Sequence, residues 1–377
     1  MSRFSVECTR WLAALALAGA LAFSGGASAQ DDETGATGTP AGEATETAER
    51  EDGFQGERVP TPIRVEFDDS ERFVPPSELP IEDDYVKEGL AMTEVEAAEE
   101  LTAVAITPEG EVELLAPEDA AVRALLSAAN ELASGLVERE VEPEEDGSNE
   151  DNAAFESGSV AAESVIGADT RVKVNNTTSY PFRTVGRIDI GCTGTLIGPR
   201  HVLTAGHCVY NIANDKWYSS LNFTPGQNGG AKPWGTIGWS RAISVKGWTN
   251  SHKRNYDYAM IVLKQNIGST VGWMGYGWKS PLPKYNVNIN GYPGDKPFGT
   301  MWHAFCKMQI ITTYRLYYPC DTYGGMSGSG VYVYFSSSGQ RTIYGIHAYG
   351  VDSTGLNGAT RIRKAVFENL KKWKATY

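Results

Sequence analysis

Val202-Leu203-Thr204-Ala205-Gly206-His207-Cys208 is the stretch on which the reading of this 377-residue chain turns. It runs a β-branched strand into a glycine turn and sets a histidine beside a cysteine. A lone histidine is more often structural than catalytic. Here, however, Cys208 can be tied back to Cys192 on the preceding strand, and such a staple fixes the backbone under the ring, as a general base requires. A base needs a nucleophile, and the chain offers one in Asp321-Thr322-Tyr323-Gly324-Gly325-Met326-Ser327-Gly328-Ser329-Gly330. A serine flanked by glycines sits on backbone that can turn sharply. Ser327 is the candidate nucleophile, and the NH groups of Gly325 and Ser327 can converge on the oxygen that becomes negative during attack on a carbonyl.

Outward from these two stretches, the residues after Glu163 form short β-branched and aromatic runs broken by Gly, Asn, Pro and Ser. The runs are Thr184 to Ile190, Gly194 to Ile197, His201 to Ala205, Tyr258 to Leu263, Val287 to Ile289, Val331 to Phe335 and Thr342 to His347. Many short strands with turns between them predict an all-β barrel or sandwich. The period changes at the end: Ile362, Val366, Leu370 and Trp373 fall at three- and four-residue steps, which predicts a closing amphipathic helix over Arg361 to Trp373.

The first half differs in kind. Residues 1–29 read as a secretory signal, with Arg3 and Arg10 basic, an apolar run from Trp11 to Phe23, and Ala27-Ser28-Ala29 as the cleavage site after Ala29. That run is too short to span a bilayer, so the product is expected to be exported, extracellular or periplasmic, and free of the membrane once the signal is removed. Residues 1–163 hold 9 Lys and Arg against 39 Asp and Glu, a net of −30, whereas residues 164–377 hold 24 against 8, a net of +16. Asymmetry of this size points to a tail or a partner, and here the partner can be covalently attached. Residues 30 to 60 and 142 to 163 are too polar to bury a core and read as disordered. Glu82 to Ala105 and Glu118 to Glu140 carry Ala, Leu and Glu at helical density. No Lys/Arg cluster interleaved with aromatics suggests nucleic-acid binding. Cys8 leaves with the signal, and Cys192, Cys208, Cys306 and Cys320 remain, an even number suited to an oxidising compartment. Three pairings are possible; joining neighbours, Cys192 with Cys208 and Cys306 with Cys320, is preferred. No Cys-x-x-Cys spacing suggests zinc, and no metal is expected.

Cys192-Thr193-Gly194-Thr195-Leu196-Ile197, Thr204-Ala205-Gly206-His207-Cys208, Asp257-Tyr258-Ala259-Met260-Ile261 and Gly325-Met326-Ser327-Gly328 stand in the order His, Asp, Ser of the chymotrypsin-like serine peptidases, which this chain resembles. Within them it is similar to the secreted bacterial glutamyl endopeptidases, the V8-like branch. That likeness runs from Ser164-Val165-Ile166-Gly167 through Gly291-Tyr292-Pro293-Gly294-Asp295-Lys296 to Val366-Phe367-Glu368-Asn369-Leu370.

The resemblance implies a double β-barrel over residues 164–377, an acidic pro-segment over 30–163, and a monomer acting on proteins or peptides without a cofactor; it says nothing certain of structural calcium. Asp257 would orient His207, which would take the proton of Ser327 on the way to an acyl-enzyme. His347 falls where these enzymes place a pocket histidine, with Thr322 as a second donor for a glutamate carboxylate. Asp321, six residues before Ser327, is the position of the acid in trypsin-like members and marks the alternative, an Arg/Lys-specific peptidase. A lesser alternative is an inactive peptidase fold used for binding. Met326 and Gly330 depart from the family pattern beside the site. If the enzyme begins at Ser164, the bond broken follows Glu163, which a Glu-specific peptidase can cut itself. The pro-segment is then expected to lie on the basic domain and inhibit it until that cut.

Overall fold

The computed structural model describes residues 64–69, 92–133 and 163–377. The signal segment with Ala29, and most of the stretches read as disordered, lie outside the described residues.

Two antiparallel sheets carry the peptidase region. The first orders the strands Phe223–Pro225, Val185–Ile188, Thr193–Leu196, His201–Thr204, Ala259–Leu263 and Trp239–Val245. The second orders Ile310–Ile311, Arg315–Tyr318, Asn357–Arg361, Gln340–Tyr349, Gly330–Phe335, Asn286–Gly291, Trp302–Lys307 and Val172–Lys173. Strands such as Thr193–Leu196 and Ala259–Leu263 are buried along their whole length, because the sheets curl on themselves and are covered outside. This is a chymotrypsin-like pair of barrels. The disulfides Cys192–Cys208 and Cys306–Cys320 join neighbours.

The closing helix spans Lys364–Thr376 rather than starting at Arg361. Ile362 is buried as its apolar period requires, but Arg361 still pairs with Gly345 in the sheet and extended Arg363 caps the helix.

The acidic region also differs from its helical reading. The helix Glu94–Leu101 starts at a capping box in which Glu96 N donates to Thr93 Oγ1 and Thr93 N donates to Glu96 Oε2. It ends at Thr102, and Ala103–Ile106 then runs as a strand, paired with Val112–Leu115 and with Trp239–Val245. The first sheet thereby gains two strands. The helix Asp119–Ala133 buries Ala121, Val122, Leu125 and Ala129 on one face and packs on the closing helix.

Candidate active site

The strand His201–Thr204 delivers the chain into a single 3₁₀ turn, Gly206–Cys208, that carries His207. The Cys192 bridge ties that turn to the loop entering the strand Thr193–Leu196. A Cβ at Gly206 would stand 2.9 Å from Trp248 and 3.0 Å from Asp257 Oδ1, so glycine is what lets both approach. Asp257 follows the short 3₁₀ turn Arg254–Tyr256 and is fully buried. One carboxylate oxygen accepts from His207 N at 2.9 Å, and the other lies 2.8 Å from His207 Nδ1. Burial works against its ionisation, but the His207 charge and the ring and backbone hydrogen bonds of His207 together hold it below the usual carboxylate value.

Ser327 lies in the loop between Thr322–Tyr323 and Gly330–Phe335, and this loop is bolted to both barrels. Thr193 N donates to Ser327 O at 2.8 Å and Thr193 Oγ1 to Gly325 O at 2.7 Å, both from the first barrel. Gly328 N donates to His347 O at 2.7 Å and His347 N to Ser329 O at 2.9 Å, both within the second. Gly325 has φ +102° and Gly328 has φ +86°, the left-handed backbone that glycine accepts without strain. Among the described residues neither Gly325 N nor Ser327 N donates to another group, which leaves both available to an incoming oxygen.

His347 is buried, and its ring is pushed down to about 3, first by burial and then by the charge of His207. Its Nδ1 lies 2.8 Å from Tyr318 Oη, which also reaches Gly358 O at 3.3 Å. Burial raises the Tyr318 phenol well above its ordinary value, so it keeps its proton. Thr322 Oγ1 is buried, with no hydrogen-bond partner among the described residues.

Asp321 is occupied otherwise. Its buried carboxylate accepts from Ile166 N and Thr170 N, each at 2.8 Å, and from Thr170 Oγ1 at 2.5 Å. Beside it, Glu163–Ser164 pairs antiparallel with Thr322–Tyr323. Cys192, His207 and Cys208 are the one group of three possible metal ligands found close together among the described residues, and both sulfurs are joined to each other.

Sequence reading missed Tyr318 and Tyr349. Nothing local marks them among 18 tyrosines. Thr193 was legible only as part of its motif; its bonds to Ser327 O and Gly325 O, and its acceptance from Tyr292 N at 3.1 Å, appear once the barrels meet.

Residues 168–367 match the family described as Trypsin. A "Glutamyl endopeptidase" of Bacillus licheniformis is 44% identical over 220 residues, spanning 56% of this chain and 69% of the relative. An "Extracellular metalloprotease" of Bacillus subtilis is 42% identical over 222 residues, spanning 56% and 69%. A solved Glu endopeptidase in complex with MPD superposes with a TM-score of 0.51 at 34% identity, over 56% of this chain and 99% of that one. With a family match across more than half its length, the chain belongs to the trypsin family and is a serine endopeptidase of chymotrypsin-like fold.

Proposed function

We propose that this endopeptidase cuts after glutamate, and less readily after aspartate, using Ser327 as nucleophile, His207 as general base and Asp257 as its orienting acid. Asp257 holds the His207 ring by Nδ1, which keeps Nε2 for the Ser327 proton and stabilises the imidazolium that forms as Ser327 attacks. The NH groups of Gly325 and Ser327 receive the oxyanion. Proton transfer from His207 to the leaving amine gives the acyl-enzyme, and water releases the acid. No step calls for a cofactor.

The buried Tyr318–His347 pair carries the specificity reading. When Tyr318 Oη donates to Nδ1, the neutral ring keeps its proton on Nε2 and presents a donor, which a carboxylate takes and an ammonium cannot. Thr322 Oγ1 is the second donor. The name borne by the Bacillus licheniformis relative supports this reading. Asp321, both of whose carboxylate oxygens are already held by Ile166 and Thr170, speaks against Arg/Lys recognition.

The same reading makes residues 1–29 a secretion signal and residues 30–163 a pro-segment removed by cleavage after Glu163. The two disulfides and the extracellular relative support export. The test is a peptide series varying only the residue before the scissile bond among Glu, Asp, Arg and Phe. Fastest cleavage after Glu is expected; fastest cleavage after Arg would return the role to Asp321.

A further inference from the structure

We propose that residues 92–133 stay bound to the enzyme as a non-covalent part of its first barrel after the chain has been cut between them and residue 164. The cut itself rests on the maturation reading above. The retention rests on how these residues are built into the molecule.

Residues 92–133 fall outside the region that matches the family, yet they complete its sheet. Ala103–Ile106 pairs residue for residue with Ala242–Val245: Ala103 with Val245, Val104 with Ser244, Ala105 with Ile243 and Ile106 with Ala242. All four partners on Trp239–Val245 are fully buried, so departure of the hairpin would leave these core residues on an open strand edge. Leu101, Ile106 and Leu125 are also fully buried, in one continuous core with Leu370 and Trp373 of the closing helix. Buried Asn369 donates from Nδ2 to Leu101 O at 3.1 Å, a bond across the contact that departure would break.

Ion pairs ring this apolar contact: Lys246 with Glu99 at 2.6 Å, Lys253 with Glu100 at 2.7 Å, Arg241 with Glu113 at 3.2 Å and Lys372 with Glu118 at 3.0 Å. At each of these pairs an acid of the first half meets a base of the second. Glu100 also accepts from Ser251 Oγ at 3.0 Å, so it grips the loop that leads into Asp257. The hydrogen bonds and ion pairs described for residues 92–133 reach this outer face, and none reaches Ser327 or His347. A segment placed to block the cleft would show the opposite pattern. Retention also protects the fragment itself, because helical and strand-paired backbone must open before a peptidase can cut it.

The experiment supplies the cut independently of the enzyme's own activity. The full chain carrying Ser327→Ala has the recognition sequence of a site-specific protease substituted within residues 142–151, is cut to completion, and is passed over gel filtration in 0.15 M and in 1 M NaCl. Mass spectrometry of each peak is expected to find the amino-terminal fragment with the peptidase domain at about one to one in both salts, since the apolar core outlasts screening of the rim. Elution of the fragment apart from the domain in 0.15 M NaCl would overturn the proposal. Ile106→Asp in the same background sets a charge in the core and is expected to release the fragment; co-elution of that variant in 1 M NaCl would also overturn it. Amino-terminal sequencing of the active chain reads the natural cut separately, and a start elsewhere than Ser164 would sink the maturation reading without touching this result.

Discussion

Tyr318 Oη lies 2.8 Å from His347 Nδ1, with both side chains buried. In the proposed tautomer the phenol, which keeps its proton, donates to Nδ1 rather than to Gly358 O, and Nε2 of the neutral ring becomes the donor. Tyr318→Phe removes that control while preserving the ring volume. Its kcat/KM for a peptide with Glu before the scissile bond is expected to fall about tenfold relative to wild type, the size of one hydrogen bond. The smaller loss expected for a peptide with Leu there separates specificity from general damage; equal losses on both peptides would reject the role.

Asp257 touches His207 twice, at the backbone and at Nδ1. Asp257→Asn keeps the size but offers a donor where an acceptor is needed, which favours the wrong tautomer of His207. We expect kcat to drop roughly 10⁴-fold with little change in thermal unfolding. A loss below tenfold would mean that Asp257 does not orient the base.

Gly328 combines φ +86° with a site where a Cβ would stand 2.1 Å from both Thr193 O and Thr204 Oγ1. Gly328→Ala must push the Ser327 loop away from the first barrel. An ångström of misplacement in a reacting group costs on the order of 10²-fold, so kcat/KM is expected to fall by at least about that factor. Activity within a factor of three of wild type would show that the docking of this loop is not required.

His201 is buried, and its ring is pushed down to about 4, mainly by burial and further by the charges of Lys374 and Arg200. The unfolded chain takes up this proton near the ordinary value of 6.5, before the folded chain does. Stability is therefore unaffected by this group above pH 6.5 and falls as the pH drops from 6.5 toward 4, by at most ~1.4 kcal/mol per pH unit. His347 works in the same direction over a wider window, from pH 6.5 down toward 3. Melting temperatures of His201→Leu measured from pH 7 to pH 4 should decline less steeply than those of the unsubstituted chain; an equal slope would remove His201 from the account.

The barrels and the closing helix were legible because their cues are local. Runs such as Tyr258 to Leu263 and Thr342 to His347 are apolar enough to be strands on their own, and they lie within strands Ala259–Leu263 and Gln340–Tyr349 or one residue outside. Trp239–Val245 was not legible, since Ser240 and Arg241 interrupt its apolar pattern and its identity comes from pairing on both sides. Ala103 to Ala105, within the strand Ala103–Ile106, closed a stretch read at helical density: alanines in a glutamate-rich stretch favour helix until an edge strand claims them. In the candidate site, glycines and a cysteine beside the key residues left a trace in the sequence. Tyr318 left none, because it meets His347 only through the register of Arg315–Tyr318 on Asn357–Arg361 and of that strand on Gln340–Tyr349.

The proposed recognition of glutamate is tested most directly by two peptides that differ only in Glu or Gln before the scissile bond, since these share shape and differ in charge. A neutral His347 donor supported by Thr322 predicts a kcat/KM for Glu at least about 10²-fold above that for Gln at pH 7.5, a gap that charge-assisted hydrogen bonding can supply. Equal rates on the two peptides, or a peptide with Arg cut faster than either, would contradict it.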